Sequence, residues 1–217
     1  MKHPEEDRDA VERVLAWVGG LPDLTPVQWE QLEGLADWLR GEAVQAGGLG
    51  PREPGRIWTR HIADSLSFAG GWPGSPPDEL LDVGAGVGLP GIPLAILWPG
   101  TQVTLLDRSS RRVDLARRAV RRLGIGNVDV RLRDVLSVAE SWKSAVFRAV
   151  FPPEKAWEVA HAVLHPAGRA VIGLRGTRPL PPFAEGSTPG RSRQLRAIPV
   201  TVLDGTVSLL IMEPSEH

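Results

Sequence analysis

The segment Leu80-Leu81-Asp82-Val83-Gly84-Ala85-Gly86-Val87-Gly88-Leu89-Pro90 constrains the fold more than any other. An apolar run leads into three glycines at alternate positions, and a helix candidate around 91–98 follows. Glycine lets the backbone turn tightly and approach a ligand with no Cβ in the way. A strand, a glycine turn and a helix in that order form part of a crossover unit, and the ligand crevice of such a sheet lies at the carboxyl ends of its strands. Beyond Pro77 the alternation continues. Strand candidates are 79–83, 102–107, 128–132, 144–150 and 169–174, with further helix candidates at 109–123 and 153–164. Two late apolar runs, 194–202 and 206–212, are joined by Asp204-Gly205, a two-residue hairpin signal. The pattern predicts an α/β fold with a doubly wound, mostly parallel sheet that closes in an antiparallel hairpin. Residues 179–189 read as a loop rich in proline, glycine and serine.

The N-terminal quarter is different. Residues 5 to about 50 read as helical, with Val11, Val14, Leu15 and Val18 at helical spacing. Thr25-Pro26-Val27-Gln28 supplies an N-cap, a proline at N1 and a capping-box glutamine, and Gly47-Gly48-Leu49-Gly50-Pro51 ends that helix. A third helical segment is expected over 53–68, carrying Ile57, Ile62 and Leu66. These features predict an N-terminal helical extension over 1–56 and a Rossmann-like domain over 57–217.

Asp107 ends the strand after the glycine loop, about 20 residues on, where a carboxylate can accept both hydroxyls of a ribose. That placement suits NAD and S-adenosylmethionine alike. A dinucleotide site would want its third glycine, or an alanine, where Leu89 stands, and no Gly-Lys-Ser/Thr follows to cradle phosphate. With no cysteine, disulfides, zinc–thiolate sites and a cysteine nucleophile are excluded, and no tyrosine is present as a proton donor. The uncharged stretch 83–106 is long enough to span a bilayer, but its glycines and prolines rule out one apolar helix. Residues 1–10 are acidic and polar, unlike a secretory leader, so a cytoplasmic location is expected.

Residues 82–96, Asp-Val-Gly-Ala-Gly-Val-Gly-Leu-Pro-Gly-Ile-Pro-Leu-Ala-Ile, resemble the glycine loop of the bacterial 16S ribosomal RNA guanine-N7 methyltransferases, the RsmG or glucose-inhibited division protein B family. The Leu-Pro-Gly-Ile-Pro continuation is more specific than the glycines. Arg60-His61-Ile62-Ala63-Asp64-Ser65-Leu66, Thr104-Leu105-Leu106-Asp107 with Arg111-Arg112-Val113, and Arg148-Ala149 resemble the family in the same order. The resemblance implies a class I S-adenosylmethionine-dependent methyltransferase fold, that cofactor, and 16S rRNA or the small ribosomal subunit as partner. It implies that Asp82, Gly84, Gly86, Gly88 and Leu89 hold the methionine part, Asp107 the ribose, and Asp134, Val135 and Leu136 the adenine side. Arg148 would lie beside cofactor and base. The family usually has a carboxylate where Leu136 stands, and Asp134 is expected to take over its contact. The family's usual lysine is Arg175 here, and its Asn-Leu-Thr signature is missing around 45–49.

Guanine N7 carries an in-plane lone pair, so its methylation needs alignment rather than a general base. No catalytic dyad and no metal are therefore expected, and Arg148 would act by positioning. His61 and Asp64, three residues apart, share a helix face and either dock the helix or line a substrate crevice. The net charge of −1 conceals a segment, 108–133, with nine arginines and two aspartates, against an acidic N-terminal stretch. Arg111, Arg117, Arg118, Arg121 and Arg122 fall on one arc of a helix, either as a solvated face of an arginine-biased protein or as an RNA-phosphate surface. Trp58 and Trp72 either pack in the core or stack on bases. Two other functions remain open: the same chemistry on a small molecule or another RNA, and a non-catalytic binding module on a decayed fold.

Overall fold

The computed structural model describes residues 4–176, 190–203 and 205–215, with side chains from Arg8 onward. Helices α1 (Pro4–Val18) and α2 (Pro26–Trp38) open the chain. The expected capping box starts α2: Thr25 Oγ1 accepts from the Gln28 N–H at 3.3 Å, and Gln28 Oε1 accepts from the Thr25 N–H at 2.9 Å. A π-helical turn (Leu39–Ala43) continues the helix toward Gly47, whose φ is +65°. The segment expected as one helix is a 3₁₀ turn (Pro54–Arg56), a π turn (Ile57–Ala63), helix α3 (Asp64–Leu66) and another 3₁₀ turn (Ser67–Gly71).

Seven strands form one sheet: β1 (Glu79–Val83), β2 (Gln102–Asp107), β3 (Val128–Leu132), β4 (Trp142–Arg148), β5 (Leu164–Arg175), β6 (Arg191–Ile198) and β7 (Val207–Pro214). Their order is β3-β2-β1-β4-β5-β7-β6, with β7 antiparallel to both β5 and β6 and the other pairs parallel. Helices α4 (Gly91–Leu97), α5 (Ser110–Arg122) and α6 (Pro153–Val163) make the crossovers. The chain runs outward from β1 in one direction and resumes at β4 on its other side. A topological switch point therefore lies between β1 and β4, where such sheets bind ligands.

Several strand boundaries differ from expectation, among them the start of β5 at Leu164 rather than 169 and the two that follow. The fourth strand stops at Arg148, because Ala149 turns into the left-handed region at φ +55°. The connection of the closing hairpin is longer than a two-residue turn, with Ile198 at the end of β6 paired to Val207 at the start of β7. Strand β6 ends at Ile198, and a turn closes at once, with the Val202 N–H donating to the Pro199 carbonyl at 2.8 Å. Proline has no N–H to extend the ladder, so pairing stops at Pro199. Asp204 itself, like the loop expected over 179–189, lies outside the described residues.

Leu80, Leu81, Asp82 and Val83 are all buried, as a central parallel strand covered on both faces requires. One apolar layer joins Val11 and Leu35 of the extension to Ile92 and Leu105; the other packs Trp157 and Val163 against Leu81 and Phe147. Trp58 and Trp72 belong to the first layer, with Trp72 edge-to-face on Trp98 at 5.9 Å, so neither is available to stack on a base. The Asn127 amide donates to the carbonyls of Ala95, Trp98 and Thr101, tying the α4–β2 loop to the start of β3; each bond contributes about 1 kcal/mol. Among the described residues, no helix is long and apolar enough to cross a membrane.

Candidate active site

Two cavities meet beyond the carboxyl ends of β1 and β4. The first, about 670 Å³, is lined by Gly84, Asp107, Val135 and Leu136, among others. The second, about 740 Å³, is lined by Glu53, His61, Asp64, Arg148 and Arg175. Gly48, Ala149 and Phe151 belong to both walls. Among the described residues, Ala149 is the only non-glycine with positive φ. A left-handed alanine costs on the order of 1 kcal/mol or more, and such strain persists where surrounding structure fixes it. It lies where the two cavities join.

In the first cavity, Gly84 turns the chain at φ +69° and donates its N–H to the Leu106 carbonyl at 2.8 Å. A Cβ at Gly84 would collide with the Val150 side chain, so the loop can follow this path only with glycine. Asp107 is buried, but its carboxylate reaches the cavity wall: Oδ2 accepts from the Gly86 N–H at 3.0 Å and Oδ1 from the Ser109 N–H at 2.8 Å. Asp134 caps a 3₁₀ turn (Val135–Ser137), Oδ1 accepting from the Leu136 N–H at 3.0 Å. Val135 is buried beside it, while Leu136 is 65% exposed.

The sequence-expected cofactor set divides here. Gly84, Asp107, Asp134, Val135 and Leu136 line the first cavity, and Arg148 lines the second. Asp82, Gly86, Gly88 and Leu89 line neither. Asp82 is fully buried beneath the loop, and its Oδ2 accepts from the Gly91 N–H at 2.7 Å, at the start of α4. Burial pushes its carboxyl up to about 7, against the Gly91 hydrogen bond and the charge of Arg148. Gly86 acts through its bond to Asp107, and Gly88 has room only for the Ile92 side chain. These four residues shape the loop from behind.

The second cavity brings together residues from four distant segments. Asp64 is almost completely buried and carries two ion pairs: Arg148 Nε donates to Oδ2 at 2.9 Å, and Arg175 Nη2 lies 2.5 Å from Oδ1. Arg148 also donates to the Arg60 carbonyl at 2.8 Å, which fixes its guanidinium plane. Beside this pair, His61 Nε2 lies 2.9 Å and Arg60 Nε 3.5 Å from Glu53 Oε2. Burial, then the charge of Arg148, lowers His61 below 6.5 despite Glu53 and Asp64, so at neutral pH the imidazole is uncharged. It donates Nε2–H to Glu53, and its buried Nδ1 has no hydrogen-bond partner.

The five arginines expected to meet RNA lie on α5, but not all are free. Arg118 and Arg122 pair with Glu42 of the extension at 3.8 and 3.0 Å, and Arg117 donates to the Val130 carbonyl at 3.0 Å. Arg121 is exposed, with no ion pair among the described residues, and Arg111 lies over Gly47 at the rim of the first cavity. Sequence reasoning missed Arg108, Arg112 and Arg133, which line that same rim; Arg112 Nη1 is 3.8 Å from Asp107 Oδ2. Their signal was available, since Arg108 and Arg133 directly follow the ends of β2 and β3. Glu53 was missed as well, and its position before a helical segment gives no local sign of it. Arg196, near the end of β6, stacks over Trp17 at 4.1 Å. Among the described residues, no group of acidic or histidine side chains is placed to hold a metal ion.

The family model described as rRNA small subunit methyltransferase G matches residues 28–205. A ribosomal RNA small subunit methyltransferase G from Acidothermus cellulolyticus is 37% identical over 160 residues, 73% of this chain and 70% of that protein. One from Mycobacterium marinum is 38% identical over 147 residues, 66% of this chain and 63% of its own length. Among solved structures, the magnesium protoporphyrin IX methyltransferase of Synechocystis, with bound S-adenosylmethionine, superposes with a TM-score of 0.58 at 17% identity, covering 85% of this chain and 97% of the other. That likeness concerns the fold alone. Sequence and architecture agree: this chain belongs to the rRNA small subunit methyltransferase G family.

Proposed function

We propose that this chain is a cytoplasmic S-adenosylmethionine-dependent methyltransferase that modifies N7 of a guanine in 16S ribosomal RNA. The observation that carries the proposal is the pair of cavities with a common wall at Gly48, Ala149 and Phe151. One has the size and chemistry for the cofactor; the other has room for a base beside it.

The first cavity fits S-adenosylmethionine on its own terms. Its volume lies within the range of ligand pockets. Asp107 would accept the ribose hydroxyls on lone pairs left free by Gly86 and Ser109. Val135 and Leu136 would flank the adenine, with the Leu136 N–H already turned by Asp134. Gly84 gives the methionine part a wall without a side chain. The cofactor supplies an electrophilic methyl group on a sulfonium.

What remains for the protein is alignment and exclusion of water, which together supply most of the rate for a nucleophile that needs no deprotonation. Phe151 of the common wall is partly buried and offers an apolar surface. Arg148, held by Asp64 and the Arg60 carbonyl, is a fixed cation in the base cavity. Arg111, Arg112 and Arg133 at the rim, with Arg121 outside it, would meet RNA phosphates. The test is methyl transfer from labelled S-adenosylmethionine to small ribosomal subunits purified from a strain lacking this activity. Label in 16S RNA supports the proposal; label only in a small heteroaromatic compound refutes the RNA substrate.

A further inference from the structure

The base cavity has three acidic side chains in its wall, Glu53, Asp64 and Glu154. Both oxygens of Asp64 are taken, by Arg148 and Arg175. Glu154 is exposed in the first turn of α6. Glu53 differs from both. Its contacts to His61 and Arg60 run through Oε2, and Oε1 has no partner among the described residues. The side chain is 21% exposed, and it lines the base cavity without touching the cofactor cavity. Burial pulls its carboxyl up, but the hydrogen bond from His61 and the charges of Arg60 and Arg56 outweigh burial, so the carboxyl lies below its ordinary value. Glu53 is therefore an ionised acceptor held in place with one oxygen open.

A purine that presents N7 to the cofactor cavity turns N1–H sideways and its N2 amine away from that cavity, and Glu53 lines the base cavity outside the shared wall. Guanine carries two donors there, N1–H and the N2 amine. Adenine carries an acceptor at N1 and no N2 amine. Enzymes that modify a base read it by hydrogen bonds to this edge. We propose that Glu53 is the specificity-determining residue of the reaction, its carboxylate accepting from the N1–H and N2 amine of the acceptor guanine. His61 and Arg60 fix the carboxylate, and an adenine in the same position would set a lone pair against it. The proposal rests on the guanine-N7 function above.

The experiment compares small subunits assembled from 16S RNA carrying guanine or inosine at the methylated position. Inosine keeps N7 and N1–H and lacks only the N2 amine. A site built to bond a donor rejects the analogue lacking it, so kcat/KM on inosine should fall about 10- to 100-fold for the unaltered protein. In Glu53→Gln, kcat/KM on guanine should fall by a similar factor and the guanine-to-inosine ratio should approach one, with S-adenosylhomocysteine affinity unchanged. Glu53→Asp, which keeps a carboxylate, should restore part of the ratio. Equal rates on guanine and inosine with the unaltered protein overturn the proposal without any variant. So does a ratio that survives in Glu53→Gln, which would make Glu53 only a partner for His61. Absence of any transfer to guanine-containing subunits refutes the function itself, a result distinct from either.

Discussion

Replacing Gly84 with alanine should separate the two demands made on the glycine loop. At φ +69°, an alanine incurs roughly 1–2 kcal/mol of left-handed backbone strain. The new Cβ would also overlap Val150 and stand 2.8 Å from the Val150 Cβ, an atom that no rotamer change can move. The chain around Ala149 and Val150 must shift, at the roughly 1–3 kcal/mol typical of overpacking. The smaller conformational freedom of the unfolded variant offsets about 0.4–1 kcal/mol. The net loss is about 3 kcal/mol. Gly86→Ala is the control: its φ is +60°, but the nearest atom to a new Cβ is the Gly84 carbonyl oxygen at 4.0 Å. It carries the strain without the collision, and its net loss should be about 1 kcal/mol. The unfolded-state term is common to both, so the difference of about 2 kcal/mol isolates the approach of the loop to Val150. Urea unfolding measures each variant, and titration with S-adenosylhomocysteine should show weaker binding for Gly84→Ala, because Val150 lines the cofactor cavity. Equal stabilities for the two variants would refute the steric part of the reasoning.

Asp107→Ala should weaken S-adenosylhomocysteine at least about 100-fold in calorimetry, since two charge-assisted bonds at about 1.5–3 kcal/mol each would be lost; affinity within threefold would show that Asp107 does not hold the ribose. Asp64→Asn should cost about 3 kcal/mol in denaturant unfolding, mainly by leaving Arg148, whose side chain is 17% exposed, without its counter-charge. The Arg175 pair adds less, because that side chain is 34% exposed and screened by water. Asp82 gives a pH test. Its folded-state carboxyl is raised to about 7 from 3.8, so between those values the folded protein holds a proton that the unfolded chain has lost. Stability of the unaltered protein relative to Asp82→Asn should therefore fall as pH rises from about 4 to 7 and level off above; a flat difference would show that Asp82 is ionised throughout.

The sheet was legible because its signals are local. Apolar runs of strand length, the arginine arc of α5 and the capping box at Thr25 each predict their own element. The glycine turn and Asp107 were legible for the same reason, lying next to each other at the ends of adjacent strands. Asp82 shows the limit of motif reading: it occupies a familiar position in the loop, yet its side chain points into the sheet layer and serves the start of α4. The base cavity was mostly hidden. Glu53, Asp64, Arg148 and Arg175 come from segments more than a hundred residues apart at the extremes, and only the docking of the N-terminal helical segments on the sheet joins them. His61 and Asp64 were left between two roles; both are buried, both bond to side chains of other segments, and both line the second cavity. The end of β6 was placed too late in the chain, because Pro199 has no N–H to extend the ladder and pairing stops at Ile198.

Under the proposed function, two adjoining cavities align a methyl group with a guanine nitrogen that needs no proton acceptor. Mass spectrometry of nucleosides from 16S RNA methylated by this protein tests it most directly. The expected result is 7-methylguanosine as the sole new nucleoside. Methyl found on an exocyclic amine or a ribose hydroxyl would contradict it, because either would need a general base that these cavities have not been assigned.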